Sequence, residues 1–86
     1  MQFTGRVTQI LPKQAVGDKG TEKKSIIVED DADFPNSMLI DFYAQHIDRL
    51  DGLVVGNVIK LDIRHKLYEK GDKRFNNITG GSIEIL

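Results

Sequence analysis

The chain has no cysteine, no tryptophan, two prolines and no apolar run longer than a few residues. Each shortage closes a class. Without cysteine there are no disulfides, no thiolate zinc ligands and no cysteine nucleophile. Without about 20 consecutive apolar residues, no helix of this chain spans a bilayer. The opening MQFTGRV lacks the charged-then-apolar order of a signal peptide and reads as a strand, which makes the cytoplasm the simplest location. There is also no excess of positive charge: 12 Lys+Arg stand against 13 Asp+Glu, a net charge of −1, whereas nucleic-acid-binding domains are usually basic. Nothing matches a nucleophile elbow, a glycine-rich phosphate loop leading into a helix, or a helical metal-binding motif. The sequence therefore offers no catalytic residue, no metal ligand set and no cofactor site.

What is present is an ordinary globular composition, 40% hydrophobic and 29% charged, over 86 residues. That is one domain, residues 1–86, with room for a single small core. The charge is unevenly placed. Residues 13–24 and 60–74 hold ten of the twelve basic side chains and five acids, so they carry +5, and the remainder carries −6. Such segregation governs local steering more than the net value does.

Residues 3–11, FTGRVTQIL, alternate as a strand that Pro12 ends, and Gly5 predicts a bulge or bend within it. KQAVGDKGTE reads as a polar loop. A second strand follows in KKSIIVED, where Ile26 and Val28 share a face. DDADFPNS is an acidic turn, and MLIDF is a third strand with Met38, Ile40 and Phe42 in phase. Tyr43, Ile47 and Leu50 are then spaced by four and three, one face of a short helix stopped at Gly52. VIKLDIRHKLY has the cleanest two-residue period: Ile59, Leu61, Ile63 and Leu67 on one face, Lys60, Asp62, Arg64, Lys66 and Tyr68 on the other. EKGDK is a charged hairpin tip, and RFNNITGGSIEIL is a closing strand interrupted at Gly80-Gly81.

Three strands, a short helix and two strands is the layout of an all-β, five-stranded OB-fold barrel of Greek-key type, with the helix between strands three and four. An SH3-like barrel is the competitor, but it normally lacks a helix at that point. The stretches MQFTGRVTQILP, FP before the third strand, IDRLDGLVVGNVIKLDI and KRFNNITG resemble a family of small, uncharacterised bacterial OB-fold proteins. That family is related to single-stranded DNA-binding protein (SSB) and to primosomal replication protein N. The resemblance runs from residue 1 to about 85 and implies the fold, with nucleic-acid binding in DNA replication as the associated role. Relatives often carry aromatics where this chain has Glu22, Lys23 and Lys24, and tryptophans where it has Arg74 and Gly81.

OB-folds bind oligonucleotides on the face of their second and third strands, between the loop joining strands one and two and the loop joining four and five. The basic loops 13–24 and 66–74 fall there. A sequence-tolerant single-strand binder needs cations for phosphates and aromatics for bases. The candidates are Lys23, Lys24, Arg64, Lys66, Tyr68, Lys70, Lys73, Arg74 and Phe75. Phe75 and Ile78 are three apart and point to opposite faces, which leaves Ile78 for the core and Phe75 for stacking. The competing readings are plain: hairpin tips are charged because they are wet, and Asn76 and Asn77 beside a tip usually satisfy local backbone. The acidic run Glu29, Asp30, Asp31 and Asp33 lacks the ligand series of a calcium loop and reads as a solvated turn. His46 and His65, far apart in sequence, make a poor metal site.

The expectation is a non-enzymatic protein that binds single-stranded DNA, with RNA as a second candidate ligand, at low sequence preference. The alternative is an OB-fold interaction module, an accessory subunit of a replication or mobile-element complex, acting through a homo-oligomer or a protein partner. Carbohydrate binding is open to the fold but would want more exposed aromatics.

Overall fold

The computed structural model describes residues 1–17, 20–30, 33 and 35–86. Asp18, Lys19, Asp31 and Phe34, which the sequence reading placed in the first basic loop, the acidic turn and the FP motif, lie outside the described residues. The strands are β1 (Gln2–Ile10), β2 (Gln14–Val16), β3 (Thr21–Glu29), β4 (Ser37–Tyr43), β5 (Val58–Lys70) and β6 (Lys73–Ile85), with a 3-10 helix (Ala44–Leu50) between β4 and β5. Five of these close into an OB-fold barrel in the order β1-β5-β6-β4-β3, sealed by β1 pairing with β3. Closure removes most of the exposed edge that would otherwise template aggregation. The sixth, β2, is a three-residue strand that pairs Gln14, Ala15 and Val16 with Lys23, Glu22 and Thr21. The stretch expected to be a plain loop thus folds back as a small hairpin on the start of β3.

β1 serves two partners. Gln2 to Arg6 pair with β5 and Arg6 to Ile10 with β3, so the strand changes neighbours at Arg6. Gly5, just before the switch, is where the backbones crowd: a Cβ there would sit 2.5 Å from the Glu29 carbonyl oxygen and 2.8 Å from Val28 Cγ1. The bulge itself falls one turn of the pleat later, between Val7 and Gln9, where Thr8 Oγ1 donates to the Ile27 carbonyl at 3.2 Å.

The closing strand carries the second irregularity. Leu61 pairs with Ile83 and Ile63 with Gly80, so Asp62 faces two residues, Gly81 and Ser82, in a bulge. The predicted bend at the glycine pair is therefore present, and Gly80 has a packing reason as well. A Cβ on it would lie inside the ring of Phe42, which fills the barrel centre.

Alternation along the strands sends Val7, Ile26, Val28, Ile40, Phe42, Ile59, Leu61 and Ile63 inward, and Leu50 and Leu53 close one end. The helix docks by Leu50 with Ile47 beside it. Tyr43, expected on that helix face, is instead the last residue of β4. Ala44 then takes a left-handed φ of 51°, which redirects the chain from strand to helix. Leu67 departs from expectation too. It keeps the inward phase of β5 but is 57% exposed, because β5 and β6 run past the barrel as a free two-stranded ribbon. The five-residue tip expected at EKGDK shrinks to Gly71 and Asp72, with Gly71 at φ 62° as a two-residue turn requires.

Candidate nucleic-acid interface

Direct pairing fixes which side chains share a face. Across the ribbon, Arg64 lies opposite Thr79, Lys66 opposite Asn77, Tyr68 opposite Phe75, and Lys70 opposite Lys73. These eight residues form the outer face of the ribbon, which carries four cations and no acid; nearer the barrel the same phase of β5 adds Asp62. The other face of the ribbon holds His65, Leu67 and Glu69 against Ile78, Asn76 and Arg74. The ribbon therefore sorts its charge by face. Glu69 and Arg74 neutralise one another across the back, with Arg74 Nε donating to Glu69 Oε1 at 3.0 Å.

Within the outer face, Tyr68 and Phe75 stack at 6.0 Å between ring centroids with 21° between their planes. Lys66 Nζ stands 5.2 Å from the Tyr68 centroid, within cation–π range. Both rings remain open to solvent, Tyr68 at 38% and Phe75 at 52%. Lys70 and Lys73 face each other directly, a pairing of like charges that destabilises a sheet unless an anion joins them.

The face continues onto the barrel. Asp41 of β4 pairs with Thr79 of β6 in parallel, and with Ser25 of β3 in antiparallel register. It is a carboxylate only 5% exposed, held by three donors. Ser25 Oγ gives a 2.5 Å bond to Oδ1, Asn77 Nδ2 a 2.8 Å bond to Oδ2, and the Tyr43 hydroxyl a longer 3.4 Å contact to Oδ2. Burial, and then the negative charge of Asp41, push the Tyr43 phenol above its ordinary pKa of 10.0. The carboxylate also fixes the Asn77 amide. Its Nδ2 must face Asp41, and this leaves Oδ1 buried with no partner among the described residues.

The nine sequence candidates divide on this geometry. Arg64, Lys66, Tyr68, Lys70, Lys73 and Phe75 lie together. Lys23 of β3 shares the outer phase of the barrel through its pairing with Tyr43, apart from the ribbon. Lys24 does not: it pairs with Phe42, in the inward phase, because adjacent residues of a strand point to opposite faces. Arg74 is likewise on the far side, tied to Glu69. In the first basic loop, Lys13 is committed to Glu22 at 2.8 Å, and that hydrogen bond and charge raise its pKa above 10.5. Flanking the acidic turn, the Asn36 backbone amide donates to Asp30 Oδ1 at 3.0 Å. The sequence reading left out Asp41 and Ser25, and gave Tyr43 to the helix and Asn77 to local backbone. What brings the four together is the pairing of β4 with β3 and β6, a long-range register that no local pattern carries.

Residues 2–84 match the family described as DUF3127, a domain of unknown function. The chain belongs to that family. No curated protein matches it in sequence. Among solved structures, the DUF3127 chain is similar to the mitochondrial single-stranded DNA-binding protein Rim1 of S. cerevisiae, with a TM-score of 0.84 at 12% identity. The match covers 100% of this chain and 92% of that one. At that identity the likeness is one of fold, and it agrees with the OB-fold barrel of this DUF3127 domain.

Proposed function

We propose that this protein is a non-enzymatic binder of single-stranded DNA with low sequence preference. One observation carries the reading: the outer face of the ribbon combines four cations, no acid and a stacked aromatic pair. Sequence-tolerant strand binding needs those two components side by side. Phosphates would lie against Arg64, Lys66, Lys70 and Lys73, with Lys23 at the barrel end of the path. Bases would stack on Phe75 and Tyr68, and the Lys66 ammonium would leave the Tyr68 ring for a phosphate as a base arrives. Relief of the Lys70–Lys73 repulsion adds to binding and makes it steeply salt-dependent. RNA fits the same contacts, since neither stacking nor phosphate pairing reads the sugar. The buried Asp41 carboxylate repels phosphate from the parts of the barrel face where no cation stands beside it. A cytoplasmic role in DNA replication is the setting this reading suggests, and no helix is long and apolar enough to cross a membrane among the described residues.

The test is fluorescence anisotropy with labelled oligo-dT over a salt series. Replacing Lys66, Lys70 and Lys73 with alanine should weaken binding by at least about 100-fold at low salt and flatten the salt dependence by about two units of log–log slope. Arg74→Ala, on the opposite face, should change affinity by less than about threefold. Equal affinity of the triple variant and the parent would remove the assignment.

A second reading is favoured by the exposed Leu67 and Leu39, at 57% and 52%, which strand binding does not use. In it the ribbon is an interaction arm for a replication or mobile-element partner or for a second copy. A concentration-dependent mass in sedimentation, together with no retardation of oligo-dT, would select it.

A further inference from the structure

Beside the ribbon, the outer face of the barrel sinks into a cleft of about 420 Å³ between the 3-10 helix and the β5–β6 bulge. Its walls bring together residues distant in sequence: Tyr43, His46 and Arg49 from one side, Asp62, Arg64 and Gly81 from the other. Asp41 closes the floor. Counting formal charges, the two arginines are offset by the two aspartates. The hydrogen bonds leave that balance unchanged but decide which groups are paired. Asp41 is engaged by Ser25, Asn77 and Tyr43, and Asp62 accepts from Ser82 Oγ at 3.1 Å. Neither Arg49 nor Arg64 makes an ion pair among the described residues. The acids are occupied by neutral donors, and the guanidinium forks are left for something else.

We infer that this cleft holds a phosphate of the bound single strand, gripped between Arg49 and Arg64, with His46 as a further donor. The assignment rests on the proposed strand binding and extends it to residues of the helix that the ribbon does not include. Chemistry and placement support it. Guanidinium groups match phosphate oxygens in paired, planar contacts, better than any other side chain. Arg64 is shared, lying in phase with Lys66 and Tyr68 on β5, so the cleft opens about 13 Å along the strand from the aromatic pair. Gly81 lines the wall at the bulge, where a Cβ would lie 3.2 Å from Asp62 Cβ, so glycine lets β6 pack closely against Asp62 at the cleft edge. Tyr43 sits beside the arginines to receive the adjoining base or sugar.

The experiment compares Arg49→Ala and Arg49→Lys with the parent and with the Lys66/Lys70/Lys73 alanine variant, by anisotropy on labelled oligo-dT. Arg49 is exposed and outside the core, and thermal melting checks that each variant is folded. The inference expects Arg49→Ala to bind about tenfold more weakly at low salt and to lose about 0.7 of the log–log salt slope, the value of one single-strand phosphate contact. Arg49→Lys should recover the slope more fully than the affinity, since it keeps the charge and loses the fork. If Arg49→Ala binds as the parent does while the lysine variant fails, the ribbon reading stands and the cleft assignment falls. If the parent binds no strand, both fall together. A last arm separates the sources of phosphate. Inorganic phosphate and thymidine monophosphate are titrated while the Arg49 side-chain resonance is followed by NMR. A shift with these small anions, combined with unaltered oligo-dT affinity in Arg49→Ala, would assign the cleft to a free anion and overturn its place on the strand's path.

Discussion

Tyr43 shows how one buried carboxylate sets the properties of its neighbours. The phenol is partly buried and lies against Asp41, and both surroundings disfavour the phenolate. Its pKa in the folded protein is therefore above the value of about 10 that it takes in the unfolded chain. A raised acid pKa means that the native state keeps its proton to higher pH than the unfolded state. The associated stability is present in full below pH 10 and is lost as pH rises through the folded pKa. The chain has two tyrosines, so Tyr68→Phe leaves Tyr43 as the sole phenol. Its ultraviolet absorbance should titrate above pH 10, and Tyr43→Phe should flatten the alkaline limb of the stability curve. A Tyr43 titration at or below 10 would contradict the buried network. None of this was legible locally: by spacing alone Tyr43 belonged to the helix with Ile47 and Leu50, and only the tertiary pairing of β4 assigns it to the outer face.

The elements teach a related lesson about β5. Its two-residue period predicted the facing of every side chain from Ile59 to Tyr68, and the structure keeps that phase throughout. Burial is another matter. Ile63 and Leu67 share the inward face, yet Ile63 is 2% exposed and Leu67 57%, since the barrel ends between them. Periodicity reports which way a residue points, whereas burial depends on what packs over it, and among the described residues Leu67 is not part of the core or packed against it. Ile63→Ala should cost about 2–5 kcal/mol in denaturant unfolding, as expected for a truncated core side chain. Leu67→Ala should fall within about 0.5 kcal/mol of the parent. Similar losses at both positions would mean that the ribbon is packed against something in solution, which favours the interaction-arm reading. The same logic explains Lys24 and Arg74. Both were grouped by proximity in sequence with Lys23 and Lys73, and the alternation of a strand places each on the opposite side from its neighbour.

At the scale of the whole molecule, the layout of strands and helix was readable because an OB-fold barrel follows from element order and from a resemblance spanning nearly the full chain. The candidate face was readable only in outline, from the two basic segments 13–24 and 66–74. The division of labour between scaffold and ribbon was not, for it depends on where the core stops. All ten core residues lie in 7–63, and the partly buried Ile78 and Ile83 complete the packing from β6. Residues 67–70 and 73–76 contribute none of them. The ribbon can therefore be shortened without touching the core. Deleting those eight residues joins Lys66 to Asn77 through the native Gly71-Asp72 turn. Lys66 and Asn77 are paired in the same phase as Lys70 and Lys73, so the turn meets the geometry it now closes. The shortened protein should melt within about 5 °C of the parent, since exposed residues far from the core carry less than about 1 kcal/mol. It should also lose most of its affinity for oligo-dT, because Tyr68, Phe75, Lys70 and Lys73 leave together. Retained affinity would move the binding surface onto the barrel itself, whereas a large drop in melting temperature would show that the ribbon helps to hold the barrel closed.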